Sequence, residues 1–437
     1  MPIRLLPLIS ALAVSLVLPA GAQASGYVPD EVIVRYEQGT SGGVAAQVTE
    51  AAGAEAIQAL PGGSEQLQID DGDSVRETIA ELRADPNVAY AVPNWRARAA
   101  ASAVNDPAFR LQWNFFGEYG INVVEAWALA EQSGAAGGRG AVVAVLDSGA
   151  AYERRGRYRR APDLRRSTFV RPYDFIGRDR HPNDVFGHGT HVSGTIAQTT
   201  NNRVATAGIA YNAKIMPLRV LDSNGEGDSA AIARAIRYAA RHRADVINLS
   251  LEFPAEVRAA EIPDVLSAIR YAHRRGAVVV AAAGNQADIA VAYPARAQSV
   301  IAVGATTVTG CQADYSNAGE DLDLMAPGGG IDAPNADSAW DSAHCSPDAN
   351  GRPIIQQTFT RGVQRFGLPR TYEGTSMASP HVSAIAALLI ASERLGPNPS
   401  PRAVEVHLEA TARRTDRPDR YGAGLVDAAA ALRPATP

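Results

Sequence analysis

The chain has 437 residues, of which 46% are hydrophobic and 20% charged, values that exclude a wholly disordered chain. Its 39 glycines and 27 prolines show no period, which excludes a collagen-like or low-complexity fibre. The 41 Lys and Arg against 46 Asp and Glu give a formal net charge of −5, without the basic excess of a nucleic-acid binder.

Met1 to Arg4 is a short positive region, and Leu5 to Leu18 is an apolar run. Ala22-Gln23-Ala24 follows as an A-x-A cleavage site, so residues 1–24 read as a signal peptide for export. The apolar run is short for a membrane span, and no later stretch approaches one. The expected destination is the extracellular space or the periplasm, with no membrane attachment after cleavage. Cys311 and Cys345 are the only cysteines. An oxidising compartment favours a disulfide between them.

Residues 27 to 98 alternate strand and helix patterns, as in a small α+β domain. Asp30 to Tyr36 is β-branched, Gly42 to Ala52 is alanine-rich, and Glu65 to Ile69 alternates like a strand. Ser74-Val75-Arg76-Glu77 resembles a capping box that opens a helix to about Ala84. Pro86 to Val92 reads as a further strand. Ala97 to Val104 has small side chains and reads as an exposed linker.

From residue 105 onward the pattern is that of a larger α/β unit. Ala141 to Leu146, Asp245 to Leu249, Ala277 to Ala282 and Ser299 to Val303 are continuous apolar runs, as buried parallel strands require. His188 to Gln198, Ser229 to His242, Pro263 to Arg274 and Ser379 to Arg394 are helical patterns between them. This predicts an α/β fold, with a mostly parallel sheet covered by helices on both faces.

Three motifs carry chemistry. Asp147-Ser148-Gly149 follows the first apolar strand, where a carboxylate faces the crevice in which such folds place ligands. His188-Gly189-Thr190-His191 opens a helix, without the carboxylate of the H-E-x-x-H metal motif. Gly374-Thr375-Ser376-Met377-Ala378-Ser379-Pro380-His381 sets a serine at a helix start, where backbone N–H groups lie near any anion that forms.

These motifs, in the chain order Asp, His, Ser, resemble the subtilisin family of serine proteases. The resemblance runs from about Asn105 to Leu432, and residues 27–98 resemble that family's inhibitory propeptide. It implies a signal peptide over 1–24, a ferredoxin-like inhibitory propeptide over 25–103 and a catalytic domain over 104–437. The implied function is secreted endopeptidase activity through an acyl-enzyme, in a zymogen that cuts itself in the region of Arg96 and Ala97–Val104. Ser376 is implied as nucleophile, His188 as base and Asp147 as the group that orients the ring. Ala281-Ala282-Ala283-Gly284-Asn285 matches the family's oxyanion motif, with Asn285 the donor. His191 is expected to be structural.

The resemblance also implies that an extended peptide adds as a strand between Gly225-Glu226-Gly227 and Ser250-Leu251, beside Ala283 and Gly284. Glu252 stands where relatives carry glycine. With Glu226, Asp228 and Asp288 it suggests a preference for Arg or Lys before the cut, the alternative being a Glu252 that points to solvent and narrows the pocket. No cofactor is implied for the chemistry. Structural calcium is implied at Asp321 and Asp323 or at Asn201 and Asn202, although no early Asp ligand is evident for the second site. The expected partners are extended peptide or protein substrates and the chain's own propeptide, on a monomer. Tyr152 to Arg180 is arginine-rich, and Gly328 to Tyr372 is a long insertion before the serine motif.

Overall fold

The structure, a computed structural model, describes residues 27–95, 104–334, 345, 351–415 and 417–434. The expected signal peptide, and the expected self-cleavage region apart from Val104, lie outside the described residues. Among the described residues no helix is long and apolar enough to cross a membrane. The chain divides into two compact units, residues 1–100 and 101–437.

The first unit runs β1 (Tyr27–Tyr36), α1 (Gly42–Ala51), β2 (Ala54–Leu60), β3 (Ser64–Ile69), α2 (Val75–Ala84) and β4 (Val88–Trp95). Its sheet has the order β2-β3-β1-β4 with antiparallel pairs, the ferredoxin-like arrangement. The capping box is present at α2: the Ser74 side chain accepts from Glu77 N–H, and Glu77 accepts from Ser74 N–H. Val32, Val34, Leu67, Ile79 and Leu82 form its core. Strand β2 escapes the sequence reading because no residue in it is buried, so it has no apolar alternation to read.

The second unit begins with α3 (Val123–Gln132) and β5 (Val142–Asp147). Then come β6 (Thr168–Phe169), β7 (Tyr173–Asp174), α4 (His188–Ala197), β8 (Lys214–Arg219), α5 (Ser229–Arg241) and β9 (Val246–Leu249). The chain continues through α6 (Pro263–Arg274), β10 (Val278–Ala282), β11 (Ile301–Thr306), β12 (Leu324–Pro327), the hairpin β13 (Thr358–Arg361) and β14 (Arg365–Gly367), and α7 (Thr375–Ala391). The main sheet has the order β12-β11-β10-β9-β5-β8-β6, with β7 also on β8. Its pairings are parallel.

Two cores follow from the alternation of side chains along buried strands. Val143, Val145, Val246, Val278 and Val280 pack with α4 and α7 on one face. Ala144, Leu146, Ile247, Leu249 and Val279 pack with α5 and α6 on the other. The sheet order reverses at β5, whose neighbours are β8 on one side and β9 on the other. A parallel sheet opens a ligand crevice at the carboxyl ends of its strands at such a point.

The sequence reading does not include α3, β6, β7, β8, β12, β13 or β14, and it starts α7 late. Strands β8 and β12 contain Pro217 and Pro327, which read as strand breakers. Helix α7 starts at Thr375 rather than Ser379, so Ser376 lies inside its first turn.

Cys311 and Cys345 are joined in a disulfide across 34 positions, packed with Ala333. It ties the insertion back to the segment after β11. Closing a loop of this length restricts the unfolded chain by about 3–4 kcal/mol. Replacement Cys345→Ser is therefore expected to lower the unfolding free energy in urea by about that amount. An unchanged midpoint would show that the insertion needs no such tie.

Candidate active site

Asp147 is the last residue of β5, and α4 begins at His188. His188 Nδ1 lies 2.9 Å from both Asp147 oxygens. The Asp147 side chain is 0% exposed and that of His188 is 17% exposed, so this contact is shielded on the carboxylate side and open on the imidazole side. Asp147 Oδ1 also accepts from Ser148 N–H at 2.7 Å. Gly189 allows the close approach. A Cβ there would lie 2.1 Å from the Gly149 carbonyl oxygen and 3.0 Å from Asp147 Oδ1.

The loop before His188 is pinned by Asp184, which the sequence reading missed. Its carboxylate accepts from Ser148 Oγ, Phe186 N, Gly187 N, Thr190 N and Thr190 Oγ1 at 2.5–2.9 Å. The insertion braces the same turn. Thr358 Oγ1 donates to the Gly187 carbonyl at 2.5 Å, and Tyr372 stacks on His191 at 4.2 Å. His191 is buried, with Nε2 3.0 Å from the Ile354 carbonyl oxygen. Burial pushes its pKa down to about 3, so it stays neutral.

From Thr375 to Leu389 every residue of α7 is buried except Ser376. A proline at position 380 removes the N–H that would bond the Ser376 carbonyl. Ser250 Oγ supplies that donor instead, at 2.9 Å. Asn248 organises this corner: its Nδ2 donates to Ser250 Oγ, and its Oδ1 accepts from Ser379 and Ser383. The visible signal was a single Asn in an apolar strand. Ser376 Oγ donates to the Ser250 carbonyl at 3.2 Å.

Asn285 follows β10. Its Oδ1 accepts from Thr375 N and Thr375 Oγ1, at 2.8 and 3.0 Å. That anchor identifies the other amide atom as the donor Nδ2. Asn317, a second residue the sequence reading missed, holds the loop by accepting from Gln286 N and Asp288 N.

One cleft of about 490 Å³ is lined by His188, Ser376, Gly225, Glu226, Gly227, Ser250, Leu251 and Glu252, among others. Ala283 and Gly284 do not line it. Their N–H and carbonyl groups are bonded within the protein, to Val303, Ala292, Thr375 and Asn317. Glu252 is half-buried and, among the described residues, meets no cation. It accepts from Asn285 N at 3.0 Å and Gln286 Nε2 at 2.8 Å. Of the other acids expected at the cleft, only Glu226 lines it. Asp228 caps α5 by accepting from Ala231 N, and Asp288 lines a separate cavity.

The first expected cation pair also separates. Asp321 pairs with Arg296 at 3.0 Å, whereas Asp323 lies with Glu405 and Glu409. At the other site, Asp106 accepts from Asn201 N and Asn202 N, and Asp163 from Asn202 Nδ2 and Thr206 N. Burial and the Asp106 charge help to push the Asp163 carboxyl up to about 7. Two acids the sequence reading did not connect thus meet in that loop.

With this geometry in view, comparison with known proteins decides the family. Residues 138–424 match the subtilase family. The chain belongs to the subtilase family of serine proteases. Residues 18–94 match the fervidolysin N-terminal prodomain, so this subtilase carries a prodomain ahead of its protease unit. It is 33% identical to the thermophilic serine proteinase of Bacillus sp. (strain AK1), over 85% of this chain and 80% of that one. It is 34% identical to subtilisin E of Bacillus subtilis, over 81% of this chain and 78% of that one. A solved protease of Pseudoalteromonas arctica superposes with a TM-score of 0.62 at 32% identity, covering 76% of this chain and 99% of that one.

The electrostatics of His188 follow from its surroundings. Burial lowers its pKa, but the Asp147 charge and hydrogen bond, with the Asp184 charge, together outweigh burial and raise it above the ordinary value. The ring therefore keeps its proton to a higher pH than a free imidazole, about 6.5. An NMR titration of the His188 ring is expected to give a midpoint above 6.5, and a midpoint below it would contradict the Asp147 contact.

Proposed function

We propose that this subtilase is a secreted endopeptidase, made as a self-processing zymogen, with Ser376, His188 and Asp147 as its triad. The observation that carries this reading is the buried Asp147 held 2.9 Å from His188 Nδ1, with the imidazole opening onto the same cleft as Ser376. A serine hydroxyl is a weak nucleophile until a base takes its proton. Ser376 Oγ leaves the Ser250 carbonyl and attacks the scissile carbonyl carbon while its proton passes to His188 Nε2. Asp147 holds the ring in the required tautomer and stabilises the imidazolium.

The oxygen of the tetrahedral intermediate carries a full negative charge. Asn285 Nδ2 and the Ser376 backbone N–H are its donors, and one such donor is worth about 10²–10³ in turnover. The imidazolium then protonates the departing amine, and water repeats the sequence to release the acid. The segments 225–227 and 250–251 flank the cleft and suit an extended peptide that binds by backbone pairing. The same mode suits the tail of the chain's own propeptide as an intramolecular inhibitor. Because the base works neutral, the raised His188 pKa sets the acid limb of activity above pH 6.5.

Structural calcium fits the loop of Asp106, Asp163, Asn201 and Asn202. The loop offers hard oxygen ligands, and a cation there would favour the ionised form of Asp163, which burial and the Asp106 charge disfavour. Calcium there would stabilise the fold and take no part in bond cleavage.

Intact mass and N-terminal sequence of the exported protein test this reading, wild type beside Ser376→Ala. Wild type is expected to lose about 75–80 residues beyond Ala24, the size of the small N-terminal unit, while Ser376→Ala stays long. Identical processing of both would show that Ser376 does not cut this chain.

A further inference from the structure

Glu252 is the one residue of the cleft that departs from the expected pattern and also touches the oxyanion loop. Its Oε2 accepts from Asn285 N at 3.0 Å, and its Oε1 accepts from Gln286 Nε2 at 2.8 Å and Asn285 Nδ2 at 3.5 Å. All three donors are neutral. Among the described residues Glu252 forms no ion pair. A Cβ on Gly284 would lie 2.8 Å from Glu252 Oε2, so the carboxylate packs directly on bare backbone.

The cleft around it has two chemical parts. Leu221, Ile232, Leu251 and Phe253 give it apolar walls. Glu226 and Glu252 give it two carboxylates, and among the described residues no Lys or Arg lines it. Two carboxylates with no lining cation suit a cationic substrate side chain. An ionised carboxylate has room for about four hydrogen bonds. Glu252 keeps acceptor capacity for an ammonium or guanidinium beyond its three neutral donors.

We infer that Glu252 selects Lys or Arg as the residue before the scissile bond and couples that selection to the oxyanion donor Asn285. This inference rests on the reading of Ser376, His188 and Asn285 as catalytic groups. The coupling follows from position. Asn285 Oδ1 is tied to Thr375, which leaves Nδ2 as the group that must face the developing oxyanion. That same Nδ2 lies 3.5 Å from Glu252 Oε1. With a neutral substrate side chain, the carboxylate and the oxyanion are two negative charges at one donor, and each opposes the other. A bound cation offsets the Glu252 charge and draws the carboxylate off the amide. Its effect is greatest in the transition state, so it appears in kcat as well as in kcat/KM.

The test uses the matured enzyme and matched peptides with Arg, Lys, Phe or Leu before the cleaved bond. Wild type is expected to favour Arg and Lys at least about tenfold in kcat/KM. Glu252→Gln keeps an acceptor for Asn285 N–H and removes the charge. It is expected to slow the Arg and Lys peptides about tenfold and to raise kcat for the Phe and Leu peptides. Equal rates for all four peptides with wild type, or an unchanged ratio in Glu252→Gln, would overturn the inference. Wild type that cleaves none of the four, and no unfolded protein, would instead overturn the protease reading beneath it. If Glu252→Gln does not mature, wild type alone still decides, through inhibition by matched tripeptide aldehydes. The aldehyde ending in argininal is expected to bind at least about tenfold tighter than the one ending in phenylalaninal, and equal binding overturns the inference.

Discussion

The contact on which the rest of the site depends is the one between the buried Asp147 carboxylate and His188 Nδ1. A carboxylate at 0% exposure is costly unless its oxygens are satisfied. The surrounding architecture is arranged to satisfy them. Strand β5 delivers Asp147 at its carboxyl end, where the sheet order reverses. Gly189 lets α4 approach within a distance that any side chain would forbid. Asp184 gathers five donors, from Ser148 after β5, from Phe186 and Gly187 in the turn before α4 and from Thr190 within it, so His188 begins its helix in one place. The insertion completes the support through Thr358 and Tyr372.

Helix α7 is the second fixed element, and its proline illustrates how one irregularity serves another. Pro380 frees the Ser376 carbonyl, Ser250 Oγ occupies it, and Asn248 fixes Ser250 in turn. Ser250 thereby links the wall of the cleft to the turn that carries Ser376. The Asn285 loop is joined to the same turn through Thr375 and held from behind by Asn317. Under the proposed mechanism the nucleophile, the oxyanion donor and one wall of the cleft move as a single hydrogen-bonded unit. Glu252 adds a charge to that unit.

What was legible in the sequence is what is encoded locally. The three motifs are short strings at strand and helix ends, and the prodomain capping box spans four residues. Apolar runs gave strands β5, β9, β10 and β11, because strands buried on both faces need no alternation. What was not legible is pairing across distance. Glu252 meets Asn285 from 33 positions away, Asp106 meets Asn202 across 96, and Thr358 meets Gly187 across 171. No periodicity carries such contacts. For the same reason Asp228 and Asp288 could not be separated from Glu226 by composition alone. Strand β2 shows no buried face, and β8 carries a proline that pattern reading treats as a stop.

The central claim is that Asp147 acts through His188 to make Ser376 Oγ nucleophilic. The most direct measurement is the rate of covalent labelling by an aryl fluorophosphonate, with the site located by peptide mass. The account predicts a single adduct on Ser376, formed about 10⁴-fold more slowly in Asp147→Asn. An adduct on another residue, or an unchanged rate in Asp147→Asn, would contradict it.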